Sequence, residues 1–300
     1  MLIAFKIKLV GKLVGICAAG FVSLIAFAPL MMETEALDPS LREAQTIVEV
    51  PPGSTSYRSN GEFTNASRQA AASLVRVIFS KPLAIMKHQV SSADYQHCVD
   101  EGACHALGRG LVVAADHPAV QISWYDANAY AVWLSRKTGE SYRLPTDEEW
   151  AFAAGSKFKD DGLTIDENDP SKRWIARYER EVNRTSSGPE TRSFGSFGTN
   201  ENGLEDLGGN VWEWTSSCFV RTVLDDSGTA VSQNQNCGIR IIEGQHRAYL
   251  TDFIRDAKAG GCGAGIPPEN LGFRLVVDRD TWSGLPQLFR QAAAKFKTWR

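Results

Sequence analysis

The segment at residues 200–214, which reads NENGLEDLGGNVWEW, constrains this chain more than any other part of it. Its glycines allow the backbone to turn through positive φ and let carbonyl oxygens converge. Asp206 and Glu213 add carboxylates, and closely spaced carboxylate and carbonyl oxygens suit a hard cation such as Ca²⁺. The order Trp212, Glu213, Trp214 predicts an extended strand with both indoles on one face and the carboxylate on the other. Two interpretations are open at this point: a cation-binding turn, or a glycine turn whose tryptophans fill the core.

The composition describes an ordinary globular chain. Its 300 residues are 43% hydrophobic and 22% charged, which is enough for one large domain or two smaller ones. The formal net charge of −3 gives no basic excess, so we expect no nucleic-acid partner.

The N-terminus has the pattern of a targeting segment. Lys6, Lys8 and Lys12 precede an apolar run over residues 13–32, and that length lies between a long signal-peptide core and one membrane span. We therefore predict export to the periplasm. Residues 1–32 are either cleaved as a signal peptide or kept as an inner-membrane anchor through residues 13–32.

Export changes the interpretation of the six cysteines, because disulfides form in oxidising compartments. Cys98 and Cys104 can close a small loop, and Cys218 and Cys237 flank a polar insert as the second predicted pair. Cys262 is left over. A different pairing among Cys218, Cys237 and Cys262 is the alternative.

Helix-start signals occur at three places. Ser91 can cap a short helix, and Ser123 and Thr146 each stand three residues before an acidic residue, which is the pattern of a capping box. Apolar runs at residues 73–86, 239–253 and 271–277 are typical of strands. The mixture predicts an α+β fold.

The distribution of polar and apolar residues also predicts how the chain is divided into segments. After the segment at 1–32, the polar residues 33–72 are predicted to be a linker and N-terminal extension. The domain itself is predicted at 73–280, and residues 281–300 have the spacing of an amphipathic C-terminal helix.

Three motifs occur in a fixed order: HPAVQISWYDANAYAVWLSRKTGESYRLPTDEEWAFAAG at 117–155, GLEDLGGNVWEWT at 203–215 and NLGFRLV at 270–276. In this order they resemble the formylglycine-generating enzyme family, also called the sulfatase-modifying-factor domain, over residues 81–278. The resemblance implies a C-type-lectin-like α+β fold that is rich in loops and held by structural Ca²⁺. It also implies that the calcium ligands fall on Asp206, Gly209, Val211 and Glu213.

Most residues of the family's copper site have no equivalent in this sequence. True formylglycine-generating enzymes hold Cu(I) between two cysteines, next to a serine and the first tryptophan of the WEW run. Alignment of residues 240–244 with the family's RGGS-like turn places Tyr249 and Ile254 at the cysteines and His246 at the serine, while Trp212 is retained. Neither replacement supplies a thiolate, so we do not expect Cu(I). The sequence leaves the question of another redox metal open. His246, Tyr249 and Trp212 form the predicted catalytic set.

Polar groups are concentrated around this replaced site. His246 can act as a base or metal ligand, and Tyr249 can donate a hydrogen bond. Arg247 and Arg255 can bind a carboxylate or phosphate, and Asp252 completes the predicted substrate-binding set. The alternative is a salt-bridged scaffold in which Asp252 is a partner of Arg255.

Two segments narrow the resemblance: CVDEGAC at residues 98–104 and EGQHRAYLTDFIRDA at 243–257 are most similar to the exported NirV-like subgroup, encoded near copper nitrite reductases. This implies a role in maturing or supporting a periplasmic client enzyme such as nitrite reductase. The alternatives are a non-catalytic, calcium-stabilised lectin-like binding module and, third, a formylglycine-generating oxidase acting on a sulfatase cysteine.

Overall fold

The computed structural model describes residues 45–108, 113–159, 190–255 and 270–279, apart from Ser67, Ala71 and Ser73. The chain divides into two compact units, residues 1–34 and 35–300, and every described residue belongs to the second. The predictions for the segment at 1–32, for the helix at 281–300 and for Cys262 lie outside the described residues. No helix in the described ranges is long and apolar enough to cross a membrane.

Twelve strands and three α-helices make up the described part of the domain. The strands are β1 (Ile47–Val50), β2 (Gly53–Arg58), β3 (Glu62–Asn65), β4 (Arg68–Ala70), β5 (Leu74–Phe79), β6 (Leu83–Met86), β7 (Tyr142–Arg143), β8 (Trp212–Leu224), β9 (Ala230–Glu243), β10 (Ala248–Thr251), β11 (Leu271–Gly272) and β12 (Val276–Val277). The helices are α1 (Ser92–Asp100), α2 (Trp124–Thr138) and α3 (Asp147–Ala154), the last followed by a short 3₁₀ turn at Gly155–Lys157. The α+β prediction is confirmed.

The strands form two larger sheets and a two-stranded ribbon. The first sheet has the order β1-β6-β12-β7, and β2 pairs with β5 in the ribbon. The second sheet has the order β10-β9-β8-β3-β4, and β11 pairs in parallel with the start of β8. The long β8–β9 hairpin is therefore the centre of the sheet that carries the predicted site.

The helix starts follow the capping signals. The backbone N–H of Asp126 donates to Ser123 Oγ over 3.2 Å, and the backbone N–H of Ser123 donates to the Asp126 carboxylate over 2.9 Å. Thr146 and Glu149 repeat this reciprocal arrangement at α3, and Ser91 caps α1. These pairs satisfy backbone donors that a helix leaves free in its first turn. All three predicted helix starts are confirmed.

The alternation in the WEW run is also confirmed. Trp212 and Trp214 both belong to one apolar core cluster, which includes Tyr130 of α2 and Phe273. Glu213 is buried on the opposite face, where it meets other partners. A second cluster gathers around Trp150 of α3.

Residues 47–70, which the sequence placed in a linker, form four strands of the folded domain. β1 pairs with β6, β2 with β5, and β3 runs parallel to the outer part of β8. Buried Val50, Tyr57 and Phe63 hold these polar strands in place. Their pairing partners are distant in sequence, and local composition does not reveal them. The polar insert at 225–236 likewise contributes the exposed outer half of β9.

Candidate functional site

Two of the three predicted catalytic residues are neighbours. The Trp212 indole N–H donates to the His246 carbonyl oxygen over 3.2 Å, and the two rings meet edge to face with centroids 5.5 Å apart. Gly244 allows this approach, because a Cβ there would lie 3.0 Å from the indole. The contact positions the His246 ring beside the start of β8.

Tyr249, the third predicted catalytic residue, is built into the sheet. Its hydroxyl oxygen accepts a hydrogen bond from the backbone N–H of Gly61 over 3.0 Å. Its ring packs edge to face on Phe219, with centroids 5.2 Å apart. Burial raises the pKa of Tyr249, although the nearby Arg247 opposes this. The phenol is therefore held neutral and connects β10 to the loop before β3.

Arg247, predicted to bind substrate, lies in a buried ion cluster. Its Nε is 2.8 Å from Glu243 Oε1 and 3.4 Å from Asp147 Oδ1. Its Nη1 donates to the Arg58 carbonyl over 2.9 Å, and its guanidinium lies over the Tyr57 ring, 4.9 Å from the centroid. The Tyr57 hydroxyl donates to Asp147 Oδ2. This arrangement agrees with the alternative interpretation, in which the charged residues form a salt-bridged scaffold.

The charges of the cluster are strongly perturbed. Burial raises the pKa of Glu243 well above its usual range; Arg247 opposes this, and the Asp147 carboxylate adds to it. Burial lowers the pKa of Arg247, but Asp147 and Glu243 more than offset this, so its pKa is raised and it stays charged. Neither Tyr57 nor Asp147 was predicted as a partner of Arg247. Glu243 and Arg247 meet across the turn between β9 and β10, and their spacing in the sequence does not predict this contact.

Asp252 and Arg255 do not form the pair that the scaffold interpretation expected. The Tyr125 hydroxyl donates to Asp252 Oδ2 over 2.7 Å. Arg255 Nη2 instead donates to Asp126 Oδ1 over 2.6 Å, and His105 Nδ1 lies 3.0 Å from the same oxygen. The buried Asp126 carboxylate, already used as a helix cap, attracts these partners because a buried charge must be compensated.

The predicted calcium turn has the expected tight backbone. Asp206 has φ of 59°, in the left-handed region, and its carboxylate accepts backbone N–H groups from Gly195 and Phe197, each over 2.8 Å. The Gly209 carbonyl accepts the Val211 N–H over 2.7 Å. Three of the four predicted ligands thus lie in one turn, and each already accepts or donates within it.

Glu213 does not fit the role of a calcium ligand. Its Oε1 accepts from Gln89 Nε2 over 2.7 Å and from Arg274 Nη2 over 2.7 Å. Its Oε2 accepts from Trp150 Nε1 over 2.8 Å and from Arg274 Nε over 2.6 Å. A carboxylate offers about four acceptor positions, and all are filled here. Across the described ranges, no group of three or more His, Cys, Asp or Glu side chains could hold a metal ion.

Both predicted disulfides are present. Cys98 and Cys104 are bonded with their Cα atoms 5.3 Å apart, and Cys218 and Cys237 with theirs 4.6 Å apart. The first closes the loop after α1. The second lies at an irregularity of the β8–β9 hairpin.

Comparison with known proteins shows which family this chain is similar to. The model of the sulfatase-modifying factor enzyme 1-like domain matches residues 33–279. The formylglycine-generating enzyme of Streptomyces coelicolor is 28% identical over 242 residues, covering 76% of this chain and 74% of that protein. The inactive C-alpha-formylglycine-generating enzyme 2 of Bos taurus is 32% identical over 187 residues, covering 55% and 56%.

Among solved structures, PvdO from Pseudomonas aeruginosa is 21% identical, with a TM-score of 0.49, and the match covers 77% of this chain and 94% of that one. The match of the family model spans most of the chain, including the strands at residues 47–70 and the three ordered motifs. The chain belongs to the sulfatase-modifying factor enzyme 1-like domain family.

Proposed function

We propose that this protein is an accessory member of its family: it binds a client protein and does not oxidise cysteine with copper. The observation that carries the proposal is the state of Tyr249. This residue stands where the resemblance puts a copper thiolate, and its hydroxyl is bound to the Gly61 N–H while its ring packs on Phe219. A neutral, partly buried phenol cannot replace a soft thiolate ligand for Cu(I).

The other predicted reactive groups support the same conclusion. Arg247 contacts the buried carboxyl groups of Glu243 and Asp147, and Arg255 pairs with the Asp126 carboxylate. Both arginines contact carboxyl groups inside the domain, as expected of residues that stabilise the fold. A relative whose name describes an inactive enzyme is 32% identical to this chain, so loss of the reaction within the family has a precedent.

We infer a binding surface next to Ile254 of the replaced site. Phe253, 66% exposed, and Tyr125, 55% exposed, flank the Asp252 carboxylate just after β10. Exposed aromatic side chains next to a charged group are typical of the residues that contribute most to protein–protein affinity. We assign client binding to this aromatic surface, defined as Tyr125, Asp252 and Phe253.

The client that the NirV-like resemblance implies is a periplasmic enzyme of the nitrite-reductase type. An exported chain with two disulfides suits that compartment. Calcium at the turn of Asp206, Gly209 and Val211 is part of the same proposal, without Glu213.

Binding of purified copper nitrite reductase to the immobilised protein tests the proposal. Phe253→Ala is expected to weaken the affinity by about 30-fold, equivalent to about 2 kcal/mol for a central aromatic contact. Val231→Ala is the matched control, because Val231 has a similar exposure of 62% but is far from this surface. Along β9 it lies about 25 Å from Gly238, the residue whose carbonyl accepts the Asp252 N–H. No binding by the wild-type protein, or equal losses in both variants, would contradict the proposal.

A further inference from the structure

The Cys218–Cys237 disulfide has a cationic side chain in contact with one of its sulfurs. Arg240 Nη1 lies 3.0 Å from Cys218 Sγ and also donates to the Ser216 carbonyl over 2.9 Å. The same guanidinium stacks on the Trp124 ring, 3.8 Å from the centroid. Stacking and hydrogen bonding together fix the charge beside the sulfur.

Burial lowers the pKa of Arg240, and the nearby Asp252 carboxylate opposes this without forming a salt bridge with it. Within the described residues, no carboxylate forms a salt bridge with Arg240, and its buried Nε has no hydrogen-bond partner. A guanidinium of this kind stabilises a thiolate that forms next to it.

The two cysteine residues of the bond differ in exposure: Cys218 is buried, whereas Cys237 is exposed. We therefore expect an incoming thiolate to attack Cys237, so that the leaving sulfur is the one that Arg240 contacts. In thiol–disulfide exchange, both the sulfur attacked and the stability of the leaving thiolate set the rate.

We propose that Cys218–Cys237 is a thiol–disulfide exchange site that takes a dithiol as its reaction partner. A thiolate of the dithiol attacks Cys237 Sγ, the Cys218–Cys237 bond breaks, and Cys218 leaves as a thiolate stabilised by Arg240. The second thiol of the partner, after losing its proton, attacks the mixed disulfide and releases Cys237 as a thiolate, which takes up a proton. Two electrons pass from the dithiol to the cysteine pair, and the partner becomes a disulfide.

The backbone around the bond can tolerate its opening. The β8–β9 pairing passes from Cys218↔Arg240 to Phe219↔Asn236, so residues 237–239 bulge out of the ladder. This bulge is also held from the other side, because Thr251 of β10 pairs with Ile239 and the Asp252 N–H donates to the Gly238 carbonyl over 3.2 Å. The ladder therefore continues on both sides of the reacting residues. Reduction is expected to be local and reversible.

The second disulfide provides an internal control. Cys98 is fully buried and Cys104 nearly so, and among the described contacts no basic side chain hydrogen-bonds either sulfur. The same protein thus contains one bond with the proposed features and one without them.

The test uses the oxidised full-length protein, treated with glutathione under native conditions, alkylated at intervals and analysed by peptide mass spectrometry. We expect Cys218–Cys237 to react at least about tenfold faster than Cys98–Cys104, with the first glutathione adduct on Cys237. Equal rates, or an adduct mainly on Cys218, would overturn the proposal.

Variants of Arg240 test the role of the cation. Arg240→Gln is expected to slow reduction of Cys218–Cys237 about tenfold, and Arg240→Lys to keep most of the wild-type rate. Arg221→Gln is the control, since Arg221 lies on β8, the strand of Cys218, in an exposed ion pair with Glu62. A rate for Arg240→Gln within about twofold of wild type would refute the assignment. If that variant does not fold, the position of the wild-type adduct decides.

Discussion

Replacement of Arg274 by Met tests how the WEW segment is held. Both Arg274 and Glu213 are buried, and the guanidinium donates two hydrogen bonds to the Glu213 carboxylate. Met has a similar length and no charge, so the substitution leaves the carboxylate buried with only the Gln89 and Trp150 donors.

The expected loss is large. Removing one partner of a buried ion pair costs about 3–5 kcal/mol, because the remaining charge is uncompensated. Arg274 also donates to the backbone carbonyls of Lys87 and Glu205, each over 3.0 Å, and these acceptors lose a partner as well. We therefore expect the free energy of unfolding to fall by at least about 3 kcal/mol.

Urea unfolding monitored by tryptophan fluorescence measures this difference, provided that the slope of the transition stays constant. Arg221→Met is the control: its ion pair with Glu62 is exposed, and the expected cost is below about 1 kcal/mol. The double variant Arg274→Met with Glu213→Gln should be more stable than Arg274→Met alone, since it contains no unpaired charge.

The same measurement in Ca²⁺ and in chelator separates two accounts of Glu213. Because Arg274 fills the carboxylate, the loss should be equal in both buffers. An Arg274→Met loss below about 1 kcal/mol would refute the reasoning. A wild-type stability that falls on chelation, and no longer does so in Glu213→Gln, would assign Glu213 to a cation.

Two further predictions concern packing and charge. Burial raises the pKa of Glu243, so the folded state holds this proton and the wild type loses stability as pH rises above the usual value of about 4.3. Urea unfolding should therefore show the Glu243→Gln variant gaining on the wild type as the pH rises above about 5, and a constant difference would contradict this. Gly272→Ala should cost about 1–3 kcal/mol in the same assay, because its Cβ would lie 2.6 Å from the Ala119 carbonyl oxygen. The control Gly228→Ala, whose Cβ meets nothing within 4 Å, should cost about 1–2 kcal/mol through its positive φ alone. Gly272 is not among the glycines with positive φ, so a Gly272→Ala loss below about 0.5 kcal/mol would contradict the clash.

Local signals in the sequence predicted local structure well. The capping pairs at Ser123 and Thr146 fixed two helix starts, because the residues that cap a helix are three positions apart. The alternation around Glu213 predicted which face each side chain takes, since strands have a period of two.

Contacts between distant residues could not be predicted in this way. Tyr57 reaches Asp147 across 90 positions, and Arg255 reaches Asp126 across 129. The topology of the sheets determines which residues meet a buried charge. Neither the composition of the chain nor the spacing of its residues reveals that topology. For the same reason the sequence predicted a polar linker where residues 47–70 form strands, and it predicted Glu213 as a calcium ligand where the carboxylate is already hydrogen-bonded.

We propose that this member of the family does not carry out copper-dependent cysteine oxidation and keeps the family's scaffold. The most direct test supplies Cu(I), oxygen and a sulfatase-derived cysteine peptide to the purified protein, beside the Streptomyces coelicolor formylglycine-generating enzyme under the same conditions. Mass spectrometry should detect formylglycine with the relative and none with this protein. Copper-dependent formation of formylglycine by this chain would contradict the account.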